Sequence, residues 1–218
     1  MAGAQATVSR RDEAKERRRV QLIEATIDSI AKRGFADTTL ADVAEGAGLS
    51  RGIVNFYFRS KDQLFADTLR HLADEYRDAW RAALNAAGVS PAARLRALLM
   101  VNFDPRIFSR KKIAVWFAFW GEAKSRPAYL AMCGEKDHEY SDAIMACVRA
   151  VEAECASGHA PETIARVLDA VTSGFWLDRL TDPQPGDRAD FQHDVDVLLA
   201  TFFPGRFGAT RDLSGRAA

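Results

Sequence analysis

The chain has 218 residues, 48% of them apolar, which is enough for one helical domain of ordinary size with a small one attached. Its 30 basic residues balance 30 acidic ones, so no global field draws it to nucleic acid or to an acidic membrane, and any DNA contact must come from a local patch. The three cysteines, Cys133, Cys147 and Cys155, have no CxxC spacing; this argues against a disulfide framework or a structural zinc site and points to a reducing, cytoplasmic compartment. No apolar run approaches the roughly 20 residues of a spanning helix, and the first twenty residues lack the apolar stretch of a secretory signal, so no membrane association is expected.

Residues 1–11 are small and polar without a period and read as a flexible arm; 205–218 read as a flexible tail. Between them apolar residues recur at three and four, which predicts an all-α protein. The local charge patch lies at the start, where Arg10, Arg11, Lys15, Arg17, Arg18 and Arg19 outnumber Asp12, Glu13 and Glu16. A helix over Arg17 to Lys32 carries Leu22, Ile23, Ile27 and Ile30 on one face and ends at Gly34. Thr39 to Asp42 and Ser60 to Gln63 have the form of capping boxes, each marking a helix start. Pro91, Pro127 and Pro161 stand where a first helical turn has no amide partner, so further helices begin there. Thr181 to Asp187, rich in proline and glycine, is the strongest loop signal and separates helices at about 161–180 and 188–202.

The most informative stretch runs from Thr38 to Lys61. A short helix from Leu40 to Ala47 is followed by Gly48-Leu49-Ser50 and a second short helix from Arg51, the form of a helix-turn-helix. Leu40, Val43, Ala44, Leu49, Ile53 and Val54 pack the pair together, leaving Arg51, Gly52 and Asn55 outward. Arginine bonds guanine and asparagine bonds adenine in a bidentate manner in the major groove, so these outward groups suit base reading. Ser50 is expected to cap the second helix with its hydroxyl, while Thr39, Tyr57, Lys61 and the basic arm are placed for the DNA backbone. Two amphipathic helices around a glycine turn are also an ordinary helical corner, and the pattern alone leaves that reading open.

Gly34-Phe35, Thr39-Leu-Ala-Asp-Val-Ala, Ala47-Gly-Leu-Ser50, Gly52-Ile and Tyr57-Phe-Arg-Ser-Lys61 together resemble the N-terminal domain of the TetR family of repressors, over about residues 17–65. Asn55 departs from the pattern, standing where many relatives carry an aromatic. The resemblance implies a three-helix DNA-binding domain over 12–60, a long fourth helix at about 61–86 and a larger ligand-binding and dimerisation domain over 61–204. It also implies a homodimer formed through helices 161–180 and 188–202, with double-stranded operator DNA and a small-molecule effector as partners.

Farther along, Ile113, Trp116, Phe119 and Trp120 fall at helical spacing, with Glu122 just beyond, and Phe175-Trp176 adds two rings on another helix. An aromatic stripe of this spacing is the mark of core packing; it is also what caging a quaternary ammonium ion requires, with Glu122, Asp169 or Asp178 as counter-charge. Asn102-Phe103-Asp104, Ala114 to Trp120 and Gly174 to Leu177 resemble the C-terminal domain of the BetI group, the choline-responsive TetR-type repressors of glycine betaine synthesis. That resemblance implies a quaternary ammonium effector held by Trp116, Phe119, Trp120, Glu122, Phe175 and Trp176. The alternatives are a regulator of an unrelated ligand or a DNA-binding adaptor without transcriptional function. An enzyme is not expected. The four histidines are scattered, Cys133 and His138 lack the i, i+4 spacing of a metal pair, and there is no phosphate loop, nucleophile elbow or HExxH; no cofactor or metal is implied.

Overall fold

A computed structural model describes residues 2–123, 125–182 and 186–207, and among these every long element is a helix. In chain order they are α1 (Ala2–Arg33), α2 (Leu40–Gly46), α3 (Arg51–Tyr57), α4 (Lys61–Ala86), α5 (Pro91–Met100), a 3-10 turn (Val101–Phe103), α6 (Arg110–Ala123), α7 (Pro127–Glu152), α8 (Pro161–Thr181) and α9 (Arg188–Phe202). None of them is long and apolar enough to cross a membrane.

The local signals act as their chemistry requires. Gly34, at φ 88°, ends α1 and returns its amide to the Ile30 carbonyl at 2.8 Å. Thr39 and Asp42 form a reciprocal box at the start of α2. At α4 the Ser60 hydroxyl accepts from the Gln63 amide at 3.1 Å, while the Gln63 side chain accepts from the amide of Arg59. Pro91, Pro127 and Pro161 each open a helix. A further box, Asp187 with Asp190, starts α9.

One expectation, the Ser50 cap, is corrected, and the structure adds detail at the two termini. Helix α1 begins at Ala2, so the backbone of the expected arm over 1–11 is helical from its second residue; the alanines in this stretch favour helix and no proline interrupts it. Ser50 does stand at the N-cap of α3, but its hydroxyl makes no cap bond. Its carbonyl accepts the ordinary first helical bonds, from Ile53 at 3.0 Å and Val54 at 3.4 Å, and the side chain is exposed. The expected tail keeps definite structure as far as Phe207, where Pro204 and Phe207 form an isolated bridge; residues 208–218 and 183–185 of the expected loop lie outside the described residues.

The chain divides into two compact units. The first comprises residues 1–74 and 114–133, the second 75–113 and 134–218. In the first unit α1 buries Leu22, Ile23, Ile27 and Ile30 together with Val43 and Ala44 of α2 and Val54 of α3. Phe35, Phe65, Phe119 and Tyr129 complete this core edge to face, with Phe35 4.8 Å from Phe65 and 5.5 Å from Phe119 between ring centroids. Edge-on contacts of this kind each add about 0.5–1.5 kcal/mol beyond area burial. In the second unit Leu95, Leu98 and Leu99 of α5 are buried with Ile144, Val148 and Val151 of α7, Ile164 and Leu168 of α8, and Val195 and Leu199 of α9.

Candidate functional sites

The first site is built on α2, the turn at Gly48 and α3. Gly48 has φ 65°, the left-handed conformation that lets the chain reverse within three residues. Of the seven residues of α3 only Val54 is buried, while Arg51, Gly52 and Asn55 are exposed as the spacing predicts. Leu40, Leu49 and Ile53 are half-buried between the two helices. The residues expected near the backbone are more varied. Thr39 is exposed, and its hydroxyl is engaged with Asp42. Tyr57 is half-buried. Lys61 donates to the carbonyl of Ala36 at 2.9 Å and lies 5.0 Å from the ring centre of Phe65, so it already braces the loop before α2. On α1, Arg17 pairs with Glu13 one turn back on the same helix, while Arg19 pairs with Asp67 of α4 at 2.9 Å and so ties two helices together.

The sequence reading overlooked Phe56. It is 76% exposed, the most open aromatic ring among the described residues, and is the last residue but one of α3. Its neighbour Tyr57 meets it edge-on at 5.3 Å.

The expected effector residues do not fall into one unit. Trp116, Phe119, Trp120 and Glu122 belong to the first, Phe175 and Trp176 to the second. Phe119 is fully buried, in ring contact with Phe35, Phe65 and Tyr129. Glu122 accepts from Arg126 at 3.2 Å, and Arg126 also reaches Asp62 at 2.7 Å and covers the faces of Phe35 and Tyr129. Trp116 and Trp120 lie 6.0 Å apart at a tilt of 42°. Phe175 packs with Phe103 and Phe191.

Trp176 leads to a cluster that periodicity did not reveal. Its indole N–H donates to the Asn102 carbonyl at 3.2 Å. The Asn102 side chain accepts from the Tyr76 hydroxyl at 3.0 Å and donates to the Tyr140 hydroxyl at 2.6 Å and to the Leu99 carbonyl at 3.1 Å. Tyr140 in turn donates to the Leu98 carbonyl at 3.3 Å. Around these bonds the rings converge: Tyr76 lies 5.2 Å from Tyr140 and 6.0 Å from Trp176, and Trp80 lies 6.3 Å from Tyr140. Burial holds the Tyr140 hydroxyl far above its usual range, so it stays neutral. Beside it the Ser141 hydroxyl donates to Asp169 at 3.3 Å, and burial raises the Asp169 carboxyl above the ordinary aspartate value despite that bond. The signal that was available is the i, i+4 pair Tyr76 and Trp80, which share one face of α4.

Comparison with known proteins assigns both regions. Residues 22–68 match the sequence profile of the bacterial regulatory proteins of the tetR family, and residues 91–204 match that of the C-terminal part of BetI-type transcriptional repressors. The HTH-type transcriptional regulator BetI of Paraburkholderia phymatum is 36% identical, with 85% of this chain and 95% of that protein covered. Its counterpart in Burkholderia ambifaria is 37% identical, with 86% and 96% covered. Among solved structures, a transcriptional regulator from Rhodococcus superposes with a TM-score of 0.65 at 26% identity, covering 84% of this chain and 95% of that one. A protein from Saccharomonospora viridis crystallised in complex with choline has a TM-score of 0.74 at 20% identity, covering 83% and 94%.

Proposed function

We propose, since the chain belongs to the tetR family of bacterial regulators and within it to the BetI-type repressors, that a quaternary ammonium cation, choline or a close relative, lifts it from operator DNA and so controls glycine betaine synthesis. The observation that carries the ligand reading is the cluster of Tyr76, Trp80, Tyr140 and Trp176 beside the half-buried Asp169. The faces of tyrosine and tryptophan attract a cation that cannot donate hydrogen bonds, and a carboxylate in a poorly solvated place adds the opposing charge. The choline held by the Saccharomonospora viridis protein and the BetI name of the curated relatives support the same ligand class.

On the DNA side, Arg51, Gly52 and Asn55 enter the major groove and read bases. Thr39, Ser50, Tyr57 and Lys61 hold the phosphates; the open hydroxyl of Ser50 supports that role. The dimer forms through α8 and α9, a reading supported by the exposed row Ala170, Ser173, Gly174 and Leu177 on α8 and by Val197 on α9. Two copies then meet half-sites about 34–36 Å apart. Release requires only that the effector bind the DNA-free arrangement more tightly than the bound one, and the coupling is reciprocal.

The test is a titration with choline, betaine aldehyde and an uncharged isostere, followed by the fluorescence of the four tryptophans and by retardation of operator DNA. Saturable quenching by the cations alone, weakened in Trp176→Phe and accompanied by release of DNA, is the expected result. An equal response to the isostere overturns the cation reading, and cation binding that leaves DNA affinity unchanged overturns the release mechanism.

A further inference from the structure

The two exposed ridges of α3 differ in chemistry. Arg51 and Asn55, one turn apart, present hydrogen-bonding groups. The neighbouring ridge consists of Gly52 and Phe56, also one turn apart, so it offers nothing but a benzyl ring with an empty place before it. A methyl group added at Gly52 would meet only the Ser50 hydroxyl oxygen, at 3.8 Å, so the notch is open to an approaching surface rather than filled by the protein. The ring beyond it is held by the Tyr57 ring at 5.3 Å and 81°.

An exposed aromatic on an arbitrary surface needs no explanation, but this one sits on the helix assigned to base reading, directly after Asn55. The major groove shows donors and acceptors at every base pair and a single apolar group, the C5 methyl of thymine. A phenyl ring entering the groove gains nothing from the polar edges and loses water from them; only against a methyl does its contact become favourable.

We propose that Phe56 is a specificity-determining residue that recognises the C5 methyl of one thymine in each operator half-site, with Gly52 providing the room for that approach. The assignment rests on the reading that α3 enters the major groove. Removing one buried methyl corresponds to a loss of about fourfold in affinity. Both half-sites together give roughly fifteenfold.

The experiment enriches a duplex from a random-sequence library with the full-length protein, then replaces each thymine in turn by deoxyuridine, which deletes the methyl and nothing else. Wild type should lose about fourfold at one thymine per half-site. Phe56→Ala should bind the thymine and deoxyuridine forms of that position equally, and Phe56→Leu, which restores apolar contact, should recover the discrimination. The proposal is overturned if no single deoxyuridine weakens wild type, or if Phe56→Ala remains as sensitive to the methyl as wild type. Failure to enrich any duplex would overturn the DNA-binding reading as well, whereas enrichment without methyl sensitivity overturns this assignment alone.

Discussion

Replacing Tyr140 by phenylalanine deletes one oxygen from the interior of the second unit and leaves the ring in place. That oxygen accepts from the Asn102 amide at 2.6 Å and donates to the Leu98 carbonyl at 3.3 Å, in a residue only 5% exposed. Without it one N–H of Asn102 is buried with no acceptor, while the bond to Leu99 keeps the side chain from turning toward a new one. An orphaned buried donor costs about 1–3 kcal/mol, offset in part because the tyrosine hydroxyl no longer has to leave water; a net loss of about 2 kcal/mol follows. In a chain of this size that corresponds to a fall in Tm of roughly 4–8 °C. Urea and thermal unfolding should be followed by tryptophan fluorescence at one fixed protein concentration, because the stability of a dimer depends on it. Tyr76→Phe is the internal comparison: its hydroxyl belongs to a half-buried side chain, water can replace it at Asn102, and less than half the loss is expected. If Tyr140→Phe is within about 0.5 kcal/mol of wild type, water already reaches the hydroxyl and the closed hydrogen-bond network around Asn102 does not exist.

Asp169 gives a pH-dependent prediction. Burial raises its pKa above the ordinary aspartate value, so the fold favours the protonated form. This contribution to stability is fully present below the unfolded value and is lost as pH rises through the folded one. Asp169→Asn should therefore be more stable than wild type near about pH 7, with the gap closing toward about pH 4 in a series of thermal melts; an equal offset at both ends would refute it. Choline affinity of the wild type should rise over the same window as the carboxylate forms. At the turn between α2 and α3, Gly48→Ala places a side chain at φ 65° with no atom within 4 Å of it, so the cost is backbone strain alone, about 1–2 kcal/mol in thermal unfolding. Gly48→Asn should recover much of that, and equal losses for the two would place the strain elsewhere.

The features that could be read from the sequence are those a few neighbouring residues decide. Proline at three helix starts, glycine after Arg33, the Thr39 box and the two-sided pattern of Leu40 to Asn55 each act within one or two turns, and α4, α8 and α9 have close to the bounds those signals imply. Where the outcome depends on a side-chain rotamer, the pattern is silent. Ser50 has the residue type and backbone of an N-cap, yet its hydroxyl turns away from the amides of α3. Partners from distant helices are harder still. Phe119 and Trp116 look alike along α6, yet Phe119 lies against Phe35 and Phe65, which no spacing on α6 can show. The cluster around Asn102 draws on α4, the 3-10 turn, α7 and α8, and only packing brings these together. Phe56 went unnoticed because a phenylalanine among apolar residues reads as core until its exposure is seen.

Helix α3 is attached to its unit by a single fully buried side chain, Val54. Its outward residues can therefore be exchanged with little effect on the stability of the head, and a duplicated copy of the gene could drift toward new promoters through a handful of substitutions. The second unit differs in this respect: its hydrogen bonds converge on Asn102, and if the effector is held there as proposed, a change of ligand must come through several coordinated replacements. In such a lineage the address on the genome would be expected to diversify faster than the molecule being sensed.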